Sequence, residues 1–378
     1  MELYIHIPFC KSKCAYCDFA SWGGREAQLE NYVDAVLSEA MQQARELGAP
    51  MAGTLFLGGG TPSLLPPELL ERLLCGVGLF FPLKDGAEVT SEANPGTVTR
   101  AWADMAAACG VNRVSMGMQA LQPELLGTLG RIHRFEDVER SMAILRQAGI
   151  AELSVDLMFG LPGQTPAMWE ESLNAALSLG IRHISCYGLI PEEGTPLDER
   201  LERGELSLPD EDTEREMYDT AITLLGRHGF RQYEISSFAL PGHECRHNLG
   251  YWRQVPYLGL GASAASMLRT GCGEAFSRRF TNPRTIDDYL RMVEERRWET
   301  RESELISPSE ACFETLMLGL RTTEGVSEQA FGALHGVSLT ERYGERLTSL
   351  AQRGLLVHEG DRWFLTRRGM DIQNSVLV

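Results

Sequence analysis

Arg113-Val-Ser-Met-Gly-Met-Gln119 reads as a β-strand with two unlike faces. Side chains alternate along a strand, so Val114, Met116 and Met118 share one side and Ser115, Gly117 and Gln119 the other. The split recurs outward from this stretch. Leu153, Val155 and Leu157 oppose Ser154 and Asp156. Thr90 pairs with Glu92, Tyr4 with His6, and Ser185 with Tyr187. A parallel strand buried on both faces normally runs as continuous Val, Ile and Leu. Here the apolar faces suit a helix layer, and the polar faces need a lumen that holds something polar. A closed barrel would fill that lumen with branched apolar side chains. The expectation is therefore an open barrel around a ligand.

Strand-like runs at 2–6, 54–57, 88–92, 113–118, 152–157 and 183–187 alternate with helical stretches at 26–47, 67–76, 99–109, 135–148 and 166–179. Gly48, Gly110, Gly149 and Gly180 stand where helix C-caps belong. Six such units predict an α/β fold, a partial (β/α)6 barrel with right-handed crossovers, over residues 1–237. A mixed extension follows at 238–304, with a helix at 210–226 before it, a strand at 232–236 and a polar loop at 243–252. Residues 305–378 read as helices at 310–320, 327–334 and 339–353, then a hairpin at 354–365 turning at Glu359-Gly360-Asp361. That order predicts a winged-helix-like domain, which does not by itself imply DNA binding.

Composition narrows the function classes. Of 378 residues, 43% are apolar, enough for a large core, and the net charge of −17 disfavours nucleic acid as a partner. The most apolar long window, 64–83, is broken by Pro66, Pro67, Glu68, Glu71 and Arg72, so no membrane span is expected. Met1-Glu2 leads straight into a strand, without a secretory signal, which predicts a cytoplasmic protein. Nine cysteines, an odd number, argue against a disulfide framework. Cys75, Cys109, Cys186, Cys272 and Cys312 are scattered and read as buried small residues.

The other clustered thiols carry chemistry. Cys10, Cys14 and Cys17 have a C-x3-C-x2-C spacing. Three thiolates can hold three corners of a cubane cluster and leave one iron open, whereas electron-transfer clusters use four. Lys11 and Lys13 would favour thiolates. Zinc with His6 as a fourth ligand, and incidental thiols, stay open as alternatives. Gly58-Gly59-Gly60-Thr61-Pro62 is either a glycine turn or a loop that brings backbone close to a cofactor. His243-Glu-Cys245-Arg-His247-Asn-Leu-Gly-Tyr251-Trp252 contains three residue types that serve as axial heme ligands, or else forms a hydrogen-bonded polar loop.

The cysteine spacing after a first strand, with an aromatic before the third Cys, resembles the radical S-adenosylmethionine superfamily. Gly58-Gly-Gly-Thr-Pro62, Glu92-Ala-Asn-Pro95, Ser115-Met-Gly-Met-Gln119, Asp156-Leu-Met-Phe-Gly-Leu-Pro162 and His247-Asn-Leu-Gly-Tyr-Trp252 extend the likeness over essentially the whole chain. Within that superfamily it resembles the HemW-type heme chaperones, relatives of the oxygen-independent coproporphyrinogen III dehydrogenases. The resemblance implies a 4Fe-4S cluster on Cys10, Cys14 and Cys17, with S-adenosylmethionine on the open iron. It implies cofactor contacts from Tyr4, Tyr16, Gly59, Gly60, Thr61, Glu92, Gln119, Arg131, Asp156 and Ala265. It further implies heme as bound cargo, handled near Cys245, His247 and Tyr251. Delivery would be to acceptor proteins, respiratory ones at the membrane among them. The competing reading is radical oxidative decarboxylation of coproporphyrinogen III; a zinc-stabilised adapter is a third. The dehydrogenases carry a fourth cysteine where this chain has Phe19. They also place a longer segment ahead of the strand bearing Tyr4. Both differences imply that dehydrogenase activity is absent.

Overall fold

The structure, a computed structural model, describes residues 1–270 and 275–374. Six parallel strands lie side by side in chain order: β1 (Glu2–Ile7), β2 (Ala52–Gly59), β3 (Leu83–Ala93), β4 (Arg113–Gln119), β5 (Glu152–Phe159) and β6 (His183–Gly188). Five helices make the crossovers: α1 (Leu29–Leu47), α2 (Pro67–Phe80), α3 (Arg100–Ala108), α4 (Phe135–Gln147) and α5 (Pro166–Ser178). A sixth, α6 (Glu211–Arg227), packs after β6. Their buried stripes follow the helical period, as with Leu29, Val33, Val36 and Ala40 on α1. Thr99 and Thr165 cap α3 and α5 through side-chain hydroxyls. Gly48 ends α1 in the left-handed conformation.

The two-faced strands behave as expected. Val114, Met116 and Met118 are fully buried in the core formed with the helices. Tyr4, Thr90, Glu92, Ser115, Ser154, Asp156, Ser185 and Tyr187 border a single cavity that also touches β2 through Phe56. Six strands can border one void only if their sheet wraps around it, which is the partial barrel.

The sheet is wider than six strands. Beyond β6 run two antiparallel strands, β7 (Arg231–Gln232) and β8 (Ser237–Ala239); of the strand expected at 232–236 only Gln232 is in a strand, the rest forming the connection between these two. On the β1 edge, β9 (Tyr257–Leu260) pairs parallel, and β10 (Ala265–Arg269), β11 (Ser277–Thr281) and β12 (Glu302–Ile306) follow antiparallel. The sheet, twelve-stranded among the described residues, therefore continues through the extension. A buried carboxylate fastens the extension to the barrel. Glu39 of α1 is fully buried and meets Arg301 Nη2 at 2.6 Å, Tyr289 OH at 2.7 Å, Asn282 Nδ2 at 2.8 Å and the Gly261 N–H at 2.9 Å. A buried charge is tolerable only with such complete partnering.

One expectation is corrected. The presumed polar loop at 243–252 contains a helix, α7 (Arg246–Trp252). Its first N–H groups donate to the Glu88 carboxylate, at 3.1 Å from Arg246 and 2.9 Å from His247. That cap comes from a residue far away in sequence, on β3.

Three helices, α8 (Pro308–Gly319), α9 (Glu328–His335) and α10 (Leu339–Gln352), precede a hairpin of Leu356–Glu359 and Arg362–Leu365. Leu316, Phe331, Leu347, Leu356 and Trp363 belong to a core separate from that of the barrel. Among the scattered cysteines, Cys186 and Cys312 are buried as expected; Cys109 is half-buried and Cys75 exposed on α2. Cys272 lies outside the described residues. Among the described residues no helix is long and apolar enough to cross a membrane.

Candidate functional site

β1 delivers the chain to the cysteine loop. A two-residue parallel ladder, Phe9–Cys10 with Trp22–Gly23, closes the loop at its base. Further out, the Ala15 N–H donates to the Leu129 carbonyl and the Ala15 carbonyl accepts from Leu197, both at 2.9 Å. Cys10, Cys14 and Cys17 are free, half-buried thiols bordering one cavity of about 460 Å³ at the C-terminal ends of the strands. Among the described residues no three His, Cys, Asp or Glu side chains converge on a single-ion site. Burial pushes the Cys14 and Cys17 thiols up. Arg131 opposes this at Cys14; the Phe19 backbone and Lys13 oppose it at Cys17. Lys13 thus lowers Cys17 as expected but is outweighed by burial, and at Cys14 the opposing charge is Arg131 rather than Lys11 or Lys13.

The same cavity brings together Tyr16, Gly59, Gly60, Glu92, Gln119, Arg131 and Asp156. Glu92 accepts from the Gly59 N–H at 2.9 Å. Burial, with the nearby Asp156 charge, pushes its carboxyl up to about 7. Burial also raises Asp156, against hydrogen bonds from Ser185 and Ser115. Ser115 Oγ lies 3.1 Å from both Asp156 oxygens.

Opposite the carboxylates, Arg131 donates to Tyr16 OH at 3.0 Å and to Asn94 Oδ1 at 2.6 Å. Asn94 donates to Thr61 Oγ1 at 2.8 Å, and Thr61 donates to Cys10 Sγ at 3.7 Å. One polar chain therefore runs from a cluster thiol to Tyr16. Asn94 was not singled out from sequence; its only signal was its place in Glu92-Ala-Asn-Pro95. Arg131 Nε is buried without a partner among the described residues. Gln119 sits at a register shift between β4 and β5, at φ 64°, a conformation costly for a non-glycine residue. A Cβ on Gly117 would lie 2.9 Å from Gln119 Nε2 and 3.1 Å from Arg131 Nη2, so the missing side chain makes room for both.

The glycine loop has internal reasons as well. A Cβ on Gly59 would collide with the His6 ring, and one on Gly60 would come within 2.7 Å of the Ile7 and Phe9 carbonyls. His6 bonds Tyr4 OH through Nδ1 at 2.9 Å and the Ala20 carbonyl through Nε2 at 2.8 Å. With both nitrogens engaged, it offers no fourth ligand to the cysteines. Tyr4 and Ala265 border a neighbouring cavity of about 470 Å³ that shares Gly59 and Glu92 with the first.

Cys245, His247 and Tyr251 come together at the far end of the same lumen, bordering one cavity with Tyr4, Glu92 and Asp156, and Tyr251 also borders the cavity of Tyr4 and Ala265. α7 closes the lumen at the N-terminal ends of the strands. His247, 1% exposed, bonds Thr54 Oγ1 at 2.6 Å and Tyr251 OH at 2.9 Å. Cys245 Sγ donates to Glu88 at 3.6 Å. Burial holds the His247 imidazole down to about 3, hence neutral, and pushes the Cys245 thiol up to about 12. These side chains brace a floor, and neither imidazole nitrogen is free.

A model of the radical SAM superfamily matches residues 4–176, and one of the HemN C-terminal domain matches residues 306–372. The heme chaperone HemW of Bacillus subtilis is 36% identical over 99% of this chain and 97% of its own length. That of Synechocystis is 39% identical, over 95% of this chain and 86% of the relative. The chain belongs to the HemW family. The Escherichia coli member is 34% identical over all of this chain and 97% of its own. In fold, this chain is similar to coproporphyrinogen III oxidase (HemN) from Escherichia coli, described as a radical SAM enzyme. That structure superposes with a TM-score of 0.83 at 22% identity, over 100% of this chain and 88% of the other.

Proposed function

We propose that this protein is a heme chaperone: it binds heme and transfers it to acceptor proteins while carrying a 4Fe-4S cluster and S-adenosylmethionine. The observation that carries the proposal is the near full-length similarity to relatives named heme chaperones, together with a residue at the site. Phe19, 63% exposed, lines the main cavity where the dehydrogenases have a further cysteine. A phenyl ring can move neither a proton nor an electron.

The residues present fit both cofactors. Three free thiols border one cavity, and His6, with both ring nitrogens engaged, supplies no fourth ligand for zinc. The unpartnered Arg131 Nε and the Glu92–Asp156 pair offer a donor and acceptors to a ligand that is itself zwitterionic. Bound together, the cofactors supply a reductively cleavable sulfonium at an iron with an open position. Cys10, Cys14 and Cys17 would hold the cluster. Glu92, Gln119, Arg131 and Asp156 would orient S-adenosylmethionine, with Tyr4, Tyr16, Gly59, Gly60, Thr61 and Ala265 around it. The domain limits 1–237, 238–304 and 305–378, a cytoplasmic location and respiratory acceptors belong to the same proposal.

An axial role for His247, Cys245 or Tyr251 requires α7 to leave the lumen floor. Hydrogen exchange of α7 with and without heme, read beside the Soret band of His247→Gln, tests it. Both change if the role holds, and neither changes if α7 stays a brace.

The deciding experiment titrates heme into the anaerobically reconstituted full chain and supplies coproporphyrinogen III with reductant and S-adenosylmethionine in parallel. Saturable heme binding without decarboxylation is expected. Protoporphyrinogen IX above a no-protein control would replace the chaperone reading with the dehydrogenase one.

A further inference from the structure

Below Glu92 and Asp156 the lumen narrows into a chamber of about 200 Å³, whose lower part, where Thr90, Arg113 and His183 lie with Cys245, His247 and Tyr251, the cofactor reading does not use. Three buried polar atoms there have no partner among the described residues: Thr90 Oγ1 on β3, Arg113 Nη2 on β4 and His183 Nδ1 on β6. All three residues border the chamber and are over nine-tenths buried. Arg113 is the telling one. Its Nη1 donates to the His243 carbonyl at 3.1 Å and lies 3.8 Å from Glu88 Oε2. Glu88 is already committed to the first N–H groups of α7 and to Cys245. A buried guanidinium with one face unmatched is costly unless something anionic completes it.

The other two atoms suit the same guest. The Thr90 hydroxyl is a free donor. His183 Nε2 pairs with Tyr233 OH at 2.7 Å, which leaves Nδ1 able to carry the ring proton toward the chamber. The acids at the chamber's upper rim have donors of their own. Glu92 takes the Gly59 N–H, and Asp156 takes Ser115. The unmet hydrogen-bonding capacity at the bottom is thus donor in character, and its one charged member is Arg113, which also faces Glu88 at 3.8 Å and acts on Asp156.

We propose that this chamber is a carboxylate subsite, filled by the carboxylate of a ligand that enters through the main cavity. The guest is either a small free monocarboxylic acid or the carboxylate arm of a larger ligand; the proposal does not depend on the heme reading. Its size, about 200 Å³, admits a carboxylate and a short chain but not a whole tetrapyrrole.

The test uses the full chain and two isosteric probes, propionate and propionamide, at equal ionic strength. Propionate is expected to raise the melting temperature saturably and propionamide not to. Thr90→Val, which keeps the side-chain shape, should weaken propionate binding by about tenfold, the scale of one lost hydrogen bond to a charged group. Arg113→Gln should abolish it, and Thr90→Val decides should that variant not fold. Heme against its dimethyl ester identifies the source. A preference for the free acid that Thr90→Val removes assigns the subsite to a tetrapyrrole propionate. Absence of that preference, with propionate still bound, assigns it to a separate small acid. Equal effects of propionate and propionamide, or a high-resolution structure grown in propionate with only water in the chamber, would overturn the proposal.

Discussion

The two ends of the lumen use similar residues to opposite ends. At the floor, His247, Cys245, Tyr251, Thr54 and Glu88 form a bonded set under α7, with both His247 nitrogens occupied. At the mouth, Cys10, Cys14 and Cys17 face a cavity, Arg131 keeps a bare Nε, and Glu92 sits with its acidity much reduced. Residue chemistry alone marks both ends as candidate metal or cofactor sites. What separates the α7 set from the cysteine loop is completion: satisfied polar groups hold structure, and unsatisfied ones around a void, at the mouth or at Thr90, Arg113 and His183 above that set, are available to a ligand.

The contrast can be broken at either end. The largest effect is expected from Cys14→Ser: reconstituted protein should lose the visible iron–sulfur absorption entirely while unfolding like the parent. Stoichiometric zinc without labile sulfide in the anaerobic parent would undo this. At the floor, His247→Ala removes a buried ring and two hydrogen bonds, and should cost about 3–4 kcal/mol in denaturant unfolding while sparing cluster loading. A drop below about 1 kcal/mol would mean α7 is not a brace.

The next effect depends on pH. The Glu92 carboxyl lies at about 7 in the fold against an ordinary 4.5. The cofactor-free protein therefore binds the extra proton between these values and loses stability as pH rises through them, by at most about 3 kcal/mol. Glu92→Gln should flatten that slope between pH 4.5 and 7 in thermal melts; an unchanged slope would show that another group is responsible. The smallest effect is on binding: Glu92→Ala should weaken S-adenosylmethionine by roughly 1.5–3 kcal/mol, read by calorimetry on the cluster-loaded protein. Unaltered affinity would remove Glu92 from the cofactor site.

Much of this was legible because periodicity is local. Alternation in 113–119 and its counterparts assigned lumen and helix faces before any contact was known, and Ser115, Glu92 and Asp156 do meet across the lumen. The cysteine spacing marked the loop in the same way. Asn94 was missed because its role lies wholly in bridging Thr61 and Arg131, which are distant in sequence. The glycine loop was half-legible: its openness to a ligand could be guessed, but not that the His6 ring occupies the space beside Gly59.

By itself, then, the sequence determined the strand-and-helix alternation, the polar lumen and the three-thiol loop, because each depends on neighbours a few residues apart. Only the tertiary structure decided which polar residues remain available. Glu88 caps α7 across more than 150 residues of chain, turning an apparent loop into a helix and apparent ligands into braces. Whether a buried donor or acceptor is satisfied depends on what the fold places within about 3 Å of it. No local pattern records that distance.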